Sequence, residues 1–497
     1  MSEYLIALDQ GTTSTRAMAF SPEGEVLDLH QIEFKQHYPK PGWVEHEAEE
    51  IWRTAVETVR TVVTRQGEAG RTPRALGITN QRETVVIWDR KTGQPVYNAI
   101  VWQDRRTAEA CSRLKEAGHE PMVQEKTGLL LDPYFSATKI TWLLDNVPDV
   151  RARAERGELA VGTIECFLLW RLTGGRVHAS DATNASRTML FDYHRQEWSD
   201  ELLELHKVPR QILPEVVDNA GRFGHTEVAL FGQAIPICGL MGDQQSAAIG
   251  QGCIRAGSLK STYGTGCFLL QNTGSNIVTS KNKLLSTIAY RIGDELSYAV
   301  EGSIFMAGAA VKWLRDGLGL IKNVAETEAM AASLKDNGGV YLVPAFTGLG
   351  APHWDAEARG AIFGLTQDSG PATIVRATLE SVAYQTHDLI RAAQADGAEP
   401  PKLLRVDGGM VANNWFAQFL ADLLGAPVDR PKIIETTAMG AAFLAGLGSG
   451  LYDSLEDVEK FWSLERRFEP AMDEATRQAH LEGWQRAVQR TLSKSGN

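Results

Sequence analysis

The segment ALDQGTTSTRAMAF, residues 7–20, has residue types that can bind a phosphate group. Two short apolar runs flank a turn of Gly, Thr and Ser, where exposed N–H groups and hydroxyls can cradle phosphate oxygens. A guanidinium would add a fixed charge, and a carboxylate could hold a divalent cation through water. The residues that supply these groups are the hydroxyl-bearing Thr12, Thr13 and Ser14, the cation Arg16 and the carboxylate Asp9. Because the same residue types are ordinary in turns, the segment alone also fits a plain polar hairpin.

Two charged residues, Arg82 and Glu83, directly follow a predicted strand in the segment NQRETVV. Neighbouring residues of a strand point to opposite faces, so these two side chains can address one ligand only at a strand end or a bend. The alternative is a surface ion pair, which would stabilise the fold by at most about 1 kcal/mol.

Asp243 follows Gly242 in the segment GLMGDQQSAA, immediately before a predicted helix start. Asp is a common N-cap residue, so one interpretation is that Asp243 caps the helix. The other is that Asp243 acts as a general base toward a substrate hydroxyl during phosphoryl transfer, since an Asp with a pKa of about 3.9 is ionised at neutral pH.

A second Gly and Thr turn occurs in TYGTGCF, residues 262–268, and DGG at residues 407–409 is predicted to join a strand to a helix N-terminus. Phosphates and nucleotides commonly bind at the N-terminus of such a helix. The two turns and the DGG segment are therefore consistent with a nucleotide clamped between two domains. The absence of a GxxxxGK[ST] motif argues against a P-loop NTPase.

The elements that would position these residues follow one plan twice. The runs YLIALD and TRAMAF predict a hairpin, EVLDLHQIEF, RALGITNQ and TVVIWD predict further strands, and residues 105–118 a helix. Near residue 257 a strand, a Gly and Thr turn and a strand recur, followed by a hairpin and a predicted helix over residues 303–319. We therefore predict two α/β domains, 1–250 and 251–497.

Length, charge and cysteine content set limits on the function. With 497 residues the chain is too long for one ordinary core, and its net charge of −12 argues against a nucleic-acid partner. The five cysteines are isolated in the sequence, so we expect reduced thiols and a cytoplasmic protein. Neither the N-terminal run nor AMGAAFLAGLGSGL is long enough for a signal peptide or a membrane span, so we expect no stable membrane insertion.

Several segments together resemble the FGGY family of carbohydrate kinases. YFSATKITWLLDN, residues 134–146, resembles the family's first signature, with Lys139, Trp142 and Asn146 in place, and GLGAPHWDAEARGAIFGLT, residues 348–366, resembles its second. The segments LDQGTTSTR, NQRET, DATNASRTMLFD, GDQQ, STYGTGCF and DGGMVANN resemble those of members that act on glycerol, in the same order. Several long motifs in a shared order over nearly the whole chain argue against coincidence.

The resemblance implies an actin-like α/β fold, with two ribonuclease-H-like ATPase domains flanking a cleft. Most of the polyol site would lie in residues 1–250 and most of the nucleotide site in residues 251–497. The implied reaction is transfer of the γ-phosphoryl group of ATP to glycerol, with Mg²⁺, giving sn-glycerol 3-phosphate and ADP. The resemblance also implies a homodimer or homotetramer.

The resemblance assigns a role to individual residues, with Asp243 as the catalytic base. Glycerol would be bound by Arg82, Glu83, Tyr134, Asp243 and Gln244, with Trp102 and Phe268 flanking its carbon chain. The terminal phosphates would meet Thr12, Thr13, Ser14 and Arg16, and the rest of the nucleotide would meet Thr265, Gly308, Lys312, Gly409 and Asn413. Lys312 stands where some family members have Gln, and the candidate metal ligands are Asp9 and Asp243.

Two alternative functions remain open. A family member for another polyol or a sugar such as xylulose would keep the nucleotide turns but alter the set of Arg82, Glu83 and Tyr134. An actin-like nucleotide switch would need no such hydroxyl-binding cluster. The loop HTEVALFGQAIPICG, residues 225–239, lacks both the Gly-rich loop with Arg and the phosphorylated His that regulate some relatives. We therefore expect neither inhibition by fructose 1,6-bisphosphate nor control by phosphotransferase-system proteins.

Overall fold

The computed structural model describes residues 2–355 and 357–493, which form two compact units. Unit 1 comprises Met1–Ile254, Ser286–Tyr298 and Thr436–Trp462, and unit 2 comprises Arg255–Leu285, Ala299–Glu435 and Ser463–Asn497. Two later stretches of the chain therefore fold with unit 1, which the sequence had not indicated. Ala356, in the segment that resembles the second signature, lies outside the described residues.

The strands are short and distributed along the whole chain. In chain order they are β1 (Glu3–Gln10), β2 (Ser14–Phe20), β3 (Val26–Glu33), β4 (Glu45–His46), β5 (Thr72–Asn80), β6 (Val85–Asp89), β7 (Ala99–Ile100), β8 (Leu159–Thr163), β9 (Ala179–Asp181), β10 (Phe191–Asp192), β11 (Glu197–Trp198), β12 (Glu215–Val217), β13 (Ile237–Gly242), β14 (Leu259–Tyr263), β15 (Cys267–Gly274), β16 (Leu285–Ile292), β17 (Glu295–Ile304), β18 (Tyr341–Val343), β19 (Ala361–Phe363), β20 (Leu404–Asp407), β21 (Val428–Pro431) and β22 (Leu464–Phe468).

The helices alternate with these strands, as expected for an α/β protein. They are α1 (Ala48–Glu68), α2 (Ala108–Glu116), α3 (Glu120–Thr127), α4 (Ser136–Asn146), α5 (Val150–Glu155), α6 (Ile164–Leu172), α7 (Ala182–Ala185), α8 (Asp200–His206), α9 (Val228–Phe231), α10 (Asp243–Gly250), α11 (Gly308–Asp316), α12 (Glu326–Ala332), α13 (Pro371–Ala395), α14 (Asn414–Leu424), α15 (Thr436–Gly448), α16 (Leu455–Glu459) and α17 (Glu474–Thr491). Two 3₁₀ turns cover Arg210–Ile212 and Gly409–Ala412.

The main sheet of unit 1 has five strands in the order β13-β5-β1-β2-β3. β1 and β2 form the predicted hairpin, β3 continues it antiparallel, and β5 lies parallel to both β1 and β13. Helix α1 packs on β2 and β3, while α15 packs on β1, β5 and β13. The parallel edges place the C-terminal ends of β1, β5 and β13 side by side, and the candidate site residues of unit 1 begin at these ends.

The packing of α15 accounts for the glycines of the apolar segment AMGAAFLAGLGSGL. The backbone of this helix approaches the backbones of α10 and β5 very closely. A Cβ at Gly440 would lie 1.9 Å from the Ser246 carbonyl oxygen of α10, and a Cβ at Gly77 of β5 would lie 2.0 Å from the Ala441 carbonyl oxygen. Only glycine permits such approach. The segment is a buried helix of unit 1 that packs against α10 and the main sheet.

Unit 2 repeats the hairpin plan in five neighbouring strands, ordered β15-β14-β20-β21-β22. β14 and β15 form an antiparallel hairpin, and β20 lies parallel to β14, as β5 lies parallel to β1. Both units are thus α/β structures that open with a hairpin, as predicted, and the hairpin lies beside a parallel strand. The helix predicted over residues 303–319 was wrong at its start, because β17 runs to Ile304 and α11 begins only at Gly308.

All five cysteines are buried, and none of them is in a disulfide. Among the described residues, no helix combines the length and apolar character required to cross a membrane.

Candidate active site

Residues 11–13, here called the first turn, join β1 to β2 in unit 1. The Gly11 N–H donates to the Ser14 carbonyl across 3.0 Å, which closes the turn. Within the described part of the chain, the N–H groups of Thr12 and Thr13 have no protein acceptor. Thr13 is exposed and Thr12 partly so. The first turn therefore presents two backbone donors and two hydroxyls, the arrangement that suits phosphate oxygens.

Two carbonyl groups of the first turn accept hydrogen bonds from glutamine side chains. The Gln36 amide donates to the Thr12 carbonyl across 2.9 Å, and the Gln81 amide donates to the Gly11 carbonyl across 3.0 Å. His46 joins these two glutamines, because its Nε2 lies 2.6 Å from Gln36 Oε1 and its Nδ1 lies 3.3 Å from Gln81 Nε2. Burial lowers the pKa of His46 to about 3, so the ring is neutral, with Nε2–H donating and Nδ1 accepting.

Asp9 and Arg16 are paired across β1 and β2 beside the first turn. Ser14 and Arg16 share one face of β2, where Gln31 donates to the Ser14 hydroxyl across 2.9 Å and accepts from Arg16 Nε across 3.1 Å. Burial raises the pKa of the Asp9 carboxyl, and the Arg16 guanidinium opposes that rise. A divalent cation would likewise favour the ionised carboxylate, so Asp9 fits the role of a metal ligand.

Arg82 and Glu83 lie beyond the end of β5, the position that the sequence argument required. The backbone turns sharply there, because Glu83 has a φ of 62°, an uncommon value for a residue other than glycine. Arg82 Nε lies 3.2 Å from Asp243 Oδ1 and 4.0 Å from Glu83 Oε1. Arg82 also donates to Gln245 Oε1 across 3.2 Å. One buried guanidinium thus sits between two carboxylates, the donor and acceptor set that hydroxyl recognition requires.

Asp243 is the first residue of α10, and Gly242 occupies the N-cap position, so Asp243 is not the cap. Its carboxylate lies in the first turn of the helix, where the helix dipole stabilises negative charge. A Cβ at Gly242 would lie 2.8 Å from Arg82 Cδ, so this glycine makes room for the Arg82 side chain. The Asp243 side chain remains 28% exposed, whereas Arg82 is 2% exposed, so the carboxylate is accessible to a substrate.

Trp102 contacts both the first turn and Tyr134, another predicted polyol-binding residue. Its indole N–H donates to the Thr12 hydroxyl across 2.9 Å, and its ring meets the Tyr134 ring edge to face at 5.6 Å. Gln244 follows Asp243 as the second residue of α10, and its side chain is buried. Unit 1 therefore brings together the residues predicted for the terminal phosphates and the polyol, except Phe268.

Two buried cations that sequence reasoning gave no site role also belong to this cluster. Lys139 donates to the carbonyls of Pro133, Tyr134 and Phe135 across 2.9, 2.7 and 2.8 Å, which fixes the main chain at Tyr134. Burial lowers the pKa of Lys139 to about 8, and the Glu83 carboxylate opposes this. Arg187 donates through Nε to Glu83 Oε1 across 2.6 Å. The signal for both was available, since each lies in a segment that resembles the family.

The predicted nucleotide residues, and Phe268, lie in unit 2. Residues 264–266, the second turn, join β14 to β15, and the Thr265 carbonyl accepts from the N–H groups of Ala307 and Ala309 across 3.1 and 3.0 Å. A Cβ at Gly308 would lie 2.6 Å from the Gly264 carbonyl oxygen, so only glycine allows α11 to begin against the second turn. Lys312 is exposed one helical turn after Gly308, on the same face.

The DGG segment reaches its helix less directly than predicted. Gly408 follows β20 with a φ of 89° and its Cβ would lie 2.5 Å from the Tyr263 carbonyl oxygen, next to the second turn. Gly409 then opens a 3₁₀ turn, and α14 starts only at Asn414. Asn413 caps α14, accepting from the Phe416 N–H across 2.9 Å, while its amide donates to Thr327 across 3.1 Å. Thr265 and Gly308 thus meet through backbone contacts at the second turn, and Gly408, which precedes Gly409, packs against Tyr263 next to that turn.

Comparison with known proteins matches the chain along its length. Residues 4–250 match the N-terminal domain, and residues 259–449 the C-terminal domain, of the FGGY family of carbohydrate kinases. The chain is 59% identical over 495 residues to glycerol kinase 1 of Pseudomonas aeruginosa, covering 100% of both chains, and 60% identical over 489 residues to the glycerol kinase of Rhodospirillum centenum, covering 98% of both. A crystal structure of Plasmodium falciparum glycerol kinase with ADP matches with a TM-score of 0.93 and 37% identity, covering 99% of both chains.

Proposed function

The chain belongs to the FGGY family of carbohydrate kinases, and we propose that it transfers the γ-phosphoryl group of ATP to glycerol. The observation that carries the choice of substrate is the buried Arg82 guanidinium between the carboxylates of Asp243 and Glu83. Glycerol has no charge, so a site can select it only by donors and acceptors placed for its hydroxyls. An analogue that lacks a hydroxyl would leave one of these buried groups unpaired, which is a strong basis for discrimination. The full-length identity to glycerol kinases supports the same substrate.

Asp243 is the proposed general base. It accepts the proton of the attacking hydroxyl, while Arg82 holds the carboxylate at 3.2 Å and donates to the polyol. Glu83, Tyr134 and Gln244 bind the other hydroxyls. Trp102 and Phe268 would flank the carbon chain.

Phosphoryl transfer needs alignment and charge neutralisation more than covalent help. The N–H groups of Thr12 and Thr13, the hydroxyl of Ser14 and the charge of Arg16 bind and orient the terminal phosphates. Asp9 and Asp243 would hold Mg²⁺, which neutralises phosphate charge when bound. In unit 2 the proposed nucleotide contacts are Thr265, Gly308, Lys312, Gly409 and Asn413.

One assay separates the proposal from its alternatives. ADP release is measured with the purified chain, ATP and Mg²⁺, first without and then with glycerol, and afterwards with a panel of polyols and sugars. We expect turnover that depends on glycerol. Equal turnover without glycerol would instead indicate a nucleotide switch, and preference for a pentulose such as xylulose would indicate a different carbohydrate substrate.

Three further properties are proposed together with this activity: a cytoplasmic location, a homodimer or homotetramer, and no control by fructose 1,6-bisphosphate or phosphotransferase-system proteins. The five buried cysteines, none of them in a disulfide, support a reducing compartment. Residues 225–239 contain α9, where the exposed Ala229 stands at about the position that the resemblance implies for the phosphorylated His. Light scattering after size-exclusion chromatography measures the assembly. Inhibition by millimolar bisphosphate, or phosphorylation of this loop, would contradict the third property.

A further inference from the structure

Arg187 is a completely buried cation that contacts two of the proposed polyol-binding residues. Its Nε donates to Glu83 Oε1 across 2.6 Å, and both side chains are at most 2% exposed. Its guanidinium carbon lies 5.7 Å from the centre of the Tyr134 ring and 5.3 Å from that of Phe135. Arg187 follows α7, 104 residues from Glu83 in the sequence, so only the fold brings the two together.

Glu83 needs such a partner because its backbone conformation is unusual. At a φ of 62°, the residue relies on its surroundings to stay in place. The Ser136 hydroxyl donates to the Glu83 carbonyl across 3.1 Å and so fixes the main chain. The side chain still has three rotatable bonds, and a guanidinium fixes a carboxylate more completely than a point charge does.

We propose that Arg187 is a positioning residue for polyol binding, which holds the Glu83 carboxylate and the Tyr134 ring in the orientation that meets the hydroxyls of glycerol. This inference rests on the proposed function. Arg187 acts through Glu83 and Tyr134 and has no direct contact with glycerol in this role. Its loss therefore weakens glycerol binding while leaving the nucleotide contacts of unit 2 unchanged.

The first test compares Arg187→Gln and Arg187→Lys with the wild type in the glycerol-dependent ADP assay. We expect Arg187→Gln to raise the KM for glycerol by about 10- to 100-fold, the loss that follows when a buried charged group is deprived of its hydrogen-bond partner. Arg187→Lys should have a glycerol KM between those of the wild type and Arg187→Gln, because lysine keeps the charge but lacks the planar guanidinium group. The KM for ATP should stay close to the wild-type value in both variants.

A matched control is Arg376→Gln in unit 2. Arg376 forms a buried pair with Glu380, Nε to Oε1 at 2.8 Å, with the same chemistry but no proposed role in the site. We expect this variant to lose stability while its KM for glycerol is unchanged. An equal rise in the glycerol KM in the control would overturn the proposal, because the effect would then reflect general loss of stability.

A double-mutant cycle with Glu83→Gln tests whether Arg187 acts through Glu83. If it does, the glycerol KM of the double variant is no worse than that of the poorer single variant, because the second change removes a group that is already ineffective. If the increases in glycerol KM of the two single variants multiply in the double variant, the proposal is overturned. The variants should also discriminate less between glycerol and 1,2-propanediol than the wild type does.

The outcomes separate this inference from the proposed function. A wild-type chain that does not phosphorylate glycerol would refute the proposed function itself. A wild-type chain that does, combined with a normal glycerol KM in either Arg187 variant, would refute only the positioning role. If Arg187→Gln does not fold, Arg187→Lys carries the same comparison, and titration calorimetry with glycerol measures its affinity independently of turnover.

Discussion

The replacement Gly440→Ala tests whether the packing of α15 holds α10, the helix that carries the proposed base Asp243, in place. A Cβ at residue 440 would lie 1.9 Å from the Ser246 carbonyl oxygen and 2.7 Å from its carbonyl carbon, and both are backbone atoms that cannot rotate away. The two helices must therefore separate by about 1.5 Å to restore an ordinary contact, since protein interiors have little free volume. Ser246 lies one helical turn after Asp243, so α10 carries this shift to the proposed base.

The two expected effects have different sizes. Inserting a methyl group into a closely packed interface costs about 1–3 kcal/mol of unfolding free energy, or more where both contacts are backbone. A displacement of about 1 Å at a catalytic group lowers kcat by roughly a hundredfold. Urea unfolding measures the first effect, and glycerol-dependent ADP release at saturating substrate measures the second.

Gly67→Ala is the matched control for this experiment. Gly67 lies within α1 of the same unit, and a Cβ there would meet no atom within 4 Å. The change should leave kcat unaltered and raise the unfolding free energy by up to about 1 kcal/mol, because alanine favours the helix. Unaltered stability in Gly440→Ala would refute the packing argument. Lower stability with a wild-type kcat would show that α10 tolerates the separation, and would refute the link to Asp243.

Three further predictions concern unit 1. Asp243→Asn should lower kcat by about 10²–10⁴-fold while a fluorescent nucleotide still binds, and a near-normal rate would remove Asp243 as the base. Trp102→Phe removes the donor to the Thr12 hydroxyl and should lower kcat/KM about fivefold, whereas Trp462→Phe, which removes an indole donor elsewhere in unit 1, should not. Burial lowers the pKa of His46 from 6.5 to about 3, so the unfolded chain binds the extra proton between these values. Urea unfolding should therefore show stability falling as pH drops below 6.5, less steeply in His46→Gln; identical pH profiles would contradict this.

The local parts of the fold were predictable because their patterns are local. Alternating residues around a Gly and Thr turn identified β1–β2 and β14–β15, and the end of β5 before Arg82 was also recognisable. The start of α11 could not be predicted, because the apolar run SIFMAGAA is compatible with both a strand and a helix. In the structure, pairing within the sheet extends β17 to Ile304.

The supporting residues of the site were harder to predict because they are distant in sequence. Arg187 meets Glu83 across 104 residues, and no spacing rule connects them. The glycines of α15 indicate that this helix packs closely on another element. They do not indicate that the packing partner is α10. Residues proposed to contact a substrate can thus be named from resemblance, whereas the residues that pack against them are identified only by the structure.

The discontinuity of unit 1 has a consequence for how the protein is made. Helix α15 covers α10 and the main sheet, yet it and the short helix α16 are the last elements of unit 1 to emerge from the ribosome. At about 5–20 residues per second, the roughly 200 residues between Ile254 and Trp462 take on the order of 10–40 s to synthesise. During that interval the nascent N-terminal part of unit 1 exposes the apolar surface that α15 later covers, and such transiently exposed surface favours aggregation. Stop codons or slow translation late in the message should therefore harm the first unit as much as the second.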